Sequence, residues 1–337
     1  MPTIYDIAQK TGFSIATVSK VLNNYTDVNE KTRKKILDTV NELGYLPNAN
    51  ARSLTTKKSW TIGVVFVEAL NIGMKHPLFS GVIESFRKRV EQSSYDLLFV
   101  SRNIGNEKKS YLEHFRYRGV DGVVIVSPLN FDSEVQSLLE SDIPTVFIDM
   151  HSREASVVFS DNRHGSELAV DYLHSLGHRK IAHIAGHKKT FAGEERLKGF
   201  LEACQKHHLD ITDEYIVNGG YFGFEGGEIA MKALLSLEDM PTAVYVAGDS
   251  MALGAIKVAN DMGLKIPEDI SIIGFDDIDV AKYTSPSLTT IKQNTDMIGT
   301  QAADLLLQQI NEKSKLTVAM TIPVELVKRD SCGEAKK

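Results

Sequence analysis

From Thr61 onward the chain alternates continuous apolar runs with amphipathic stretches, and that alternation restricts its fold more than any other feature. The runs are Thr61-Ile62-Gly63-Val64-Val65-Phe66-Val67, Asp96-Leu97-Leu98-Phe99-Val100, Gly122-Val123-Val124-Ile125-Val126 and Thr145-Val146-Phe147-Ile148. A second series follows: Ile181-Ala182-His183-Ile184-Ala185, Ala243-Val244-Tyr245-Val246 and Ser271-Ile272-Ile273-Gly274-Phe275. Runs that are apolar throughout, rather than at every second residue, suit strands of parallel sheets covered on both faces by helices. Gly165 to Leu176 and Asp249 to Met262 read as two of those helices. Two series predict two α/β lobes of about 100–130 residues each.

In open α/β sheets a ligand sits beyond the carboxyl ends of the strands, so a cleft between two lobes collects the residues that follow each run. Asp149 ends one run and Asp276-Asp277 another; Arg196 starts the helical region after the Ile181 run. Phe79, Phe159 and Phe222 stand near other strand-to-helix junctions. Carboxylates and a guanidinium, with aromatic faces beside them, suit a neutral polyhydroxylated ligand such as a sugar.

Ahead of the lobes stands a different kind of sequence. Thr3 is placed to cap a first helix with Ile4, Ile7 and Ala8 inward, and Gly12 stops it, because glycine takes the left-handed conformation without penalty. Ser14 caps a second helix, Ile15 to Asn23, with Val18, Val21 and Leu22 inward and Ile15, Ala16, Thr17, Ser19, Lys20 and Asn23 outward. A third helix carries Ile36, Val40 and Leu43. This is a helix-turn-helix pattern, whose second helix enters the major groove of DNA. Charge agrees: residues 1–60 hold nine Lys/Arg against five Asp/Glu, net +4, which leaves 29 against 39, net −10, for the remainder. A basic head on an acidic body suits a polyanion bound at one end.

Between the two lies Asn48-Ala49-Asn50-Ala51-Arg52-Ser53-Leu54, then Thr55-Thr56-Lys57-Lys58-Ser59. It lacks glycine and holds good helix formers, yet so short a helix is marginal alone in water. It is expected to order where a partner chain and DNA supply contacts.

Other chemistries find little support. No apolar run is long enough to span a membrane, and Met1-Pro2-Thr3 leads directly into the first helix rather than into a signal peptide. The two cysteines, Cys204 and Cys332, form no C-x-x-C pattern, so a reducing cytoplasm is the expected setting. No nucleotide-binding glycine loop of the usual spacing is present; the stretch from Asn218 to Gly227 reads as a loop into a helix. The pairs His174/His178 and His183/His187 have metal-like spacing, but Gly177 breaks the first and a strand stretches the second, so neither a metal nor a cofactor is expected. Paired carboxylates also serve glycoside hydrolysis, but a glycosidase has no use for a DNA-binding head, so the chain is expected not to be an enzyme.

These residues resemble the LacI family of bacterial transcription regulators almost end to end. The strings that carry the resemblance are Thr3-Ile4-Tyr5-Asp6-Ile7-Ala8, Ala16-Thr17-Val18-Ser19-Lys20-Val21-Leu22-Asn23, Gly44-Tyr45-Leu46-Pro47-Asn48 and Ala51-Arg52-Ser53-Leu54, then Gly177-His178-Arg179-Lys180-Ile181-Ala182, Gly274-Phe275-Asp276-Asp277 and Leu288-Thr289-Thr290-Ile291. The resemblance implies a three-helix helix-turn-helix head (1–47), a hinge helix and linker (48–60) and a two-lobed α/β periplasmic-binding-protein-like core (61–330), with 331–337 as a tail. Lobe 1 is expected at about 61–160 and 292–322, lobe 2 at about 161–291 and 323–330. It further implies a homodimer on a pseudo-palindromic double-stranded DNA operator.

Carried over by position, Ile15, Ala16 and Lys20 take base-reading places. Thr3, Ser14, Thr17, Ser19, Asn23, Thr32, Tyr45 and Asn48 take phosphate or backbone places, and Ala51 and Leu54 belong to the hinge, Leu54 as a minor-groove wedge. Asp149, Arg196, Phe222, Asp276 and Gln293 fall on effector-binding positions, with Phe79 and Phe159 beside them. Gly248 stands where several sugar-responsive relatives carry a polar side chain, which is expected to leave space or a lost hydrogen bond. No apolar heptads follow Arg329, so a dimer rather than a coiled-coil tetramer is expected. The implied function is a repressor of a carbohydrate-utilisation operon controlled by a sugar. The rivals are a co-repressor (a phosphosugar, a purine or a partner protein) and a sugar-binding protein or enzyme with a vestigial head.

Overall fold

The computed structural model describes residues 2–23, 25–45, 58–66, 73–100, 103–104, 107–126, 133–312 and 317–336. They divide into two compact units, a head that runs to Trp60 and includes Gly119–Asp121, and a core built from the rest.

In the head, α1 (Ile4–Thr11) starts where the Asp6 carboxylate accepts from the Thr3 N–H at 2.6 Å and the Thr3 hydroxyl at 2.8 Å. It ends at Gly12, φ 76°. α2 (Ile15–Leu22) starts where Ser14 Oγ accepts from the Thr17 N–H at 3.1 Å. α3 (Glu30–Leu43) starts where Asn29 Oδ1 accepts from the Thr32 N–H at 2.8 Å. Ile7, Val18, Val21 and Ile36 are fully buried, with Phe13, Leu22, Leu43 and Tyr45 packed around them.

The core runs β1 (Thr61–Phe66), α4 (Pro77–Glu91), β2 (Asp96–Phe99), a two-stranded hairpin of β3 (Asn103–Ile104) and β4 (Glu107–Lys108), α5 (Tyr111–Arg118), β5 (Gly122–Val126), α6 (Ser133–Leu139), β6 (Thr145–Ile148) and β7 (Ser156–Ser160). It continues with α7 (Asn162–Ser175), β8 (Ile181–Ala185), α8 (Phe191–Lys206), β9 (Ile216–Asn218), α9 (Phe224–Leu235), β10 (Ala243–Val246), α10 (Asp249–Asp261), β11 (Ser271–Asp276) and β12 (Thr289–Gln293). Last come α11 (Thr295–Glu312), β13 (Ala319–Ile322) and β14 (Val324–Val327).

Two sheets result, in the orders β13-β7-β6-β5-β1-β2 and β14-β12-β11-β10-β8-β9. Every described pairing in them is parallel except β12 with β14. The chain passes from the first lobe to the second after β7, returns after β12, and crosses again at Pro323.

Strands β7, β9, β12, β13 and β14 did not stand out in the sequence. β13 and β14 are edge strands with mixed exposure, and Thr-Thr-Ile-Lys-Gln of β12 is mostly polar, so neither shows the continuous apolar run of a central strand. α7 begins three residues earlier than Gly165, because Asp161 caps it by accepting from the His164 N–H at 3.2 Å. The expected tail is partly built in: Ser331 Oγ donates to the Ile272 carbonyl at 2.6 Å, and the Gly333 N–H donates to Ser271 Oγ at 3.0 Å. No described helix is long and apolar enough to cross a membrane.

Close helix contact depends on two glycines. A Cβ on Gly227 of α9 would lie 1.9 Å from the Met251 carbonyl oxygen, and one on Gly254 of α10 would lie 2.1 Å from that of Phe224. Both obstacles are backbone, so the helices must separate to admit a methyl group. Gly227→Ala is expected to lower stability by about 1–3 kcal/mol, read from the urea midpoint. A wild-type midpoint would show that the two helices slide apart at no cost.

Candidate effector cleft and DNA-reading helix

The two lobes face each other across a cleft. His76, Leu78, Phe79 and Asp149 line it from the first lobe; Thr190, Phe191, Ala192, Arg196, Phe222 and Asp276 line it from the second. His76 and Phe79 are placed by the start of α4, where Pro77 supplies a preset φ at the first helical position. Thr190 caps α8 by accepting from the Gly193 N–H at 3.2 Å, which brings Phe191 and Arg196 to the cleft on its first two turns. Asp149, Phe222 and Asp276 all have positive φ, at 65°, 61° and 124°. A non-glycine residue held there costs about 1–3 kcal/mol, and such strain gathers at ligand clamps.

Arg196 is the centre of the site. It is 2% exposed. Its Nε donates to Asn162 Oδ1 at 2.8 Å, and its Nη1 donates to the Ala247 carbonyl at 2.5 Å and to Asp276 Oδ1 at 3.4 Å. The guanidinium lies 3.7 Å from the Phe275 ring centroid and 5.5 Å from that of Phe222. Burial, partly offset by Arg196, raises the Asp276 carboxyl to about 6. Asp149 is raised as well, first by burial and then by Asp276, against the pull of Arg196. Burial, helped by Arg196, lowers His76 to about 4, so its ring is neutral at pH 7. His76 Nδ1 has no hydrogen-bond partner among the described residues. Behind the site, Asp249 accepts from the Thr290 hydroxyl at 2.6 Å and the Ile278 N–H at 3.0 Å; burial raises it, with Asp276 adding to the effect.

The space left between these side chains is about 20 Å³, room for roughly one water. A sugar-sized ligand therefore needs Phe79, Phe191 or Phe222 to swing aside, or the lobes to part.

Five residues picked from the sequence meet here: Phe79, Asp149, Arg196, Phe222 and Asp276. Gln293 and Phe159 are not among the lining residues: Gln293 is buried against Asp276, and Phe159 is half-buried beside Phe191. Gln293 holds Asp276 Oδ1 through Nε2 at 2.6 Å, and Phe159 stands edge-on to Phe191 at 5.0 Å. Arg196 lies in the second turn of α8 rather than at its start. The space expected at Gly248 is filled, since a Cβ there would come within 3.1 Å of the Phe222 ring. His76, Thr190 and Phe191 were missed, although Pro77 and the Thr190 cap marked helix starts after strands.

In the head, Ile15, Ala16 and Lys20 are exposed on α2, and Thr17, Ser19 and Asn23 are half-buried. The Ser14 and Thr17 hydroxyls pair at 2.9 Å, and the Asn23 amide donates to the Ser19 carbonyl at 2.9 Å. Thr3 is engaged with Asp6, and Tyr45 packs on the head core. Asn48, Ala51 and Leu54 lie outside the described residues.

The head and core match known families separately. Residues 3–48 match the family described as bacterial regulatory proteins, lacI family, and residues 170–332 match a periplasmic binding protein-like domain. The chain is 37% identical to the probable HTH-type transcriptional repressor ExuR of Bacillus subtilis (strain 168), with 98% of each chain covered. It is 34% identical to the HTH-type transcriptional repressor PurR of Vibrio vulnificus (strain CMCP6), again over 98% of each. Among solved structures it resembles the lac repressor dimer bound to operator and the anti-inducer ONPF, at TM-score 0.85 and 29% identity over 98% of each chain. It also resembles the regulator CelR in complex with cellobiose, at TM-score 0.73 and 29% identity over 98% of this chain and 100% of that one. A helix-turn-helix head joined to a two-lobed core with a buried polar cleft thus has full-length relatives: the chain belongs to the LacI family, as a DNA-binding transcriptional repressor whose core takes a small-molecule effector.

Proposed function

We propose that this repressor acts in the cytoplasm as a homodimer on a pseudo-palindromic operator, and that a sugar in the cleft releases it to open a carbohydrate-utilisation operon. The observation that carries this reading is the Arg196–Asp276 pair, with Asp149 opposite it on the other lobe and phenyl rings around them. Sugar hydroxyls both donate and accept, so they match a guanidinium and carboxylates side by side. The same hydroxyl-bearing ligand can bridge the two lobes, and lobe movement can then alter the 48–56 hinge.

A second reading keeps the head and gives the cleft a purine base, which the flat faces of Phe79 and Phe222 would stack. A phosphosugar fits less well. Arg196 is the cation among the described lining residues, and Lys188 and Lys189 are exposed outside that lining.

The test is operator binding by the full-length protein, titrated with neutral sugars, phosphosugars and purine bases, together with thermal shift. A neutral sugar that raises the melting temperature and weakens operator binding supports the proposal. A purine that strengthens binding, or no response to any sugar, rejects it.

A further inference from the structure

The outward face of α2 is poor in groups that can read bases: Ile15 and Ala16 offer only apolar contact, which leaves Lys20 as the long polar arm. That arm is not alone. Its Nζ is hydrogen-bonded to the carboxylate of Asp27, with side chains 49% and 54% exposed. Asp27 sits in the turn between α2 and α3, and the turn is tied at both ends. The Tyr25 N–H donates to the Lys20 carbonyl at 3.0 Å, and the Arg33 guanidinium donates to the Tyr25 carbonyl. The bond to Lys20 is the main reason that the Asp27 carboxyl is held below its ordinary range, so the carboxylate stays charged.

An ion pair this exposed adds little to stability. Beside DNA the same carboxylate is a liability, because phosphates repel it and binding draws on positive charge. It becomes useful there where it accepts a hydrogen bond from a base. In the major groove, cytosine N4 is such a donor, and guanine O6 and N7, on the same base pair, are the acceptors that suit lysine.

We propose that Asp27 is a specificity-determining residue that joins Lys20 in reading one G·C pair of each half-site, Lys20 donating to guanine and Asp27 accepting from cytosine N4. The proposal rests on the DNA-binding reading of the head and places the sequence information in a pair of side chains rather than in one lysine. The ammonium alone would bind phosphate as readily as guanine. Held against Asp27, it meets an anionic backbone with its charge already offset, so non-cognate DNA gains less from it.

Duplexes recovered from a randomised pool by the full-length wild-type protein supply the probe. They are expected to carry G·C at one position of each half-site. With Asp27→Ala, discrimination against A·T at that position should fall about tenfold. Affinity for poly(dA-dT) should rise, with a salt slope steeper by about one unit. Lys20→Ala combined with Asp27→Ala should lose more discrimination than Lys20→Ala alone, because Asp27 reads cytosine itself; no further loss would mean that Asp27 only positions Lys20 and overturns the proposal. Asp27→Asn, which keeps an acceptor oxygen, should fall between wild type and Asp27→Ala, and guards against a folding defect. Unchanged discrimination at every position overturns the proposal, as does an equal weakening on selected and unrelated duplexes. Failure of the wild type to enrich any duplex rejects the DNA-binding reading itself.

Discussion

Arg196→Ala is expected to remove the effector response and to cost the core about 3–5 kcal/mol, the usual penalty for stripping one partner from a buried charge pair. The substitution leaves Asn162 Oδ1 and the Ala247 carbonyl without their donor, and removes the cation from the face of Phe275. Asp276 keeps Gln293 as a donor but loses the charge that opposed its burial, so its carboxyl rises further and holds its proton. Arg196→Lys keeps the charge but cannot reproduce the planar stack, and its single nitrogen cannot stand in for both Nε and Nη1. It should recover part of the stability and little of the ligand response. Urea unfolding reads the first effect, and operator release by an identified effector reads the second. If Arg196→Ala unfolds at the wild-type midpoint, the buried pair has no structural weight; if it also responds normally to the effector, the cleft assignment is wrong.

Acid is the second large lever. His76 and His183 are both buried, and burial lowers each to about 4 from an ordinary 6.5. His183 lies between Phe200 and Tyr245, at ring distances of 4.8 and 4.6 Å, and its Nδ1 hydrogen-bonds with the Tyr245 carbonyl at 2.9 Å. Its Nε2 has no partner among the described residues. A histidine depressed in the native state gives stability above its unfolded value and loses it as pH falls from about 6.5 to about 4. A difference of about two and a half units corresponds to roughly 3 kcal/mol per ring. Asp276 works in the opposite sense. Raised to about 6 in the native state, its contribution is full below an ordinary 3.8 and is lost as pH rises through 6, so acid returns some stability there. Asp149 and Asp249, also raised by burial, act in the same sense as Asp276, so the two histidines are opposed by three carboxylates and the histidine share is read by difference between variant and wild type. In His183→Phe, which keeps a ring in the stack, the acid loss should shrink by one histidine's share. The same pH dependence of the urea midpoint in wild type and His183→Phe would mean that the His183 ring is protonated without strain.

The sequence showed the central strands because a strand covered on both faces is apolar at every position, and β1, β5, β6, β8, β10 and β11 are all of that kind. It hid β13 and β14, edge strands that are half-wet and carry no distinctive pattern, although the edge strand β2 was legible as an apolar run. The charged half of the cleft was legible because a charge at the end of an apolar run is conspicuous: Asp149 and Asp276 follow such runs directly. The aromatic half was only partly so, since Phe79 and Phe191 reach the cleft on first turns of helices that look like any others. Gln293 and Phe159 fall outside the lining because chain position places a residue near a strand end without saying whether its side chain or a neighbour's faces the cleft. The Lys20–Asp27 pair was invisible for a related reason: the turn that joins them is set by backbone bonds from Tyr25, not by any periodicity.

Because the chain passes between the lobes after β7, after β12 and at Pro323, neither lobe is a continuous stretch of polypeptide. A chimera that grafts a relative's second lobe onto this first one therefore needs three junctions, and a single splice near Asp161 would leave β13 and α11 foreign to the sheet they complete. Ligand preference in this chain is consequently not a module that one recombination event can exchange. It changes by substitution inside the cleft.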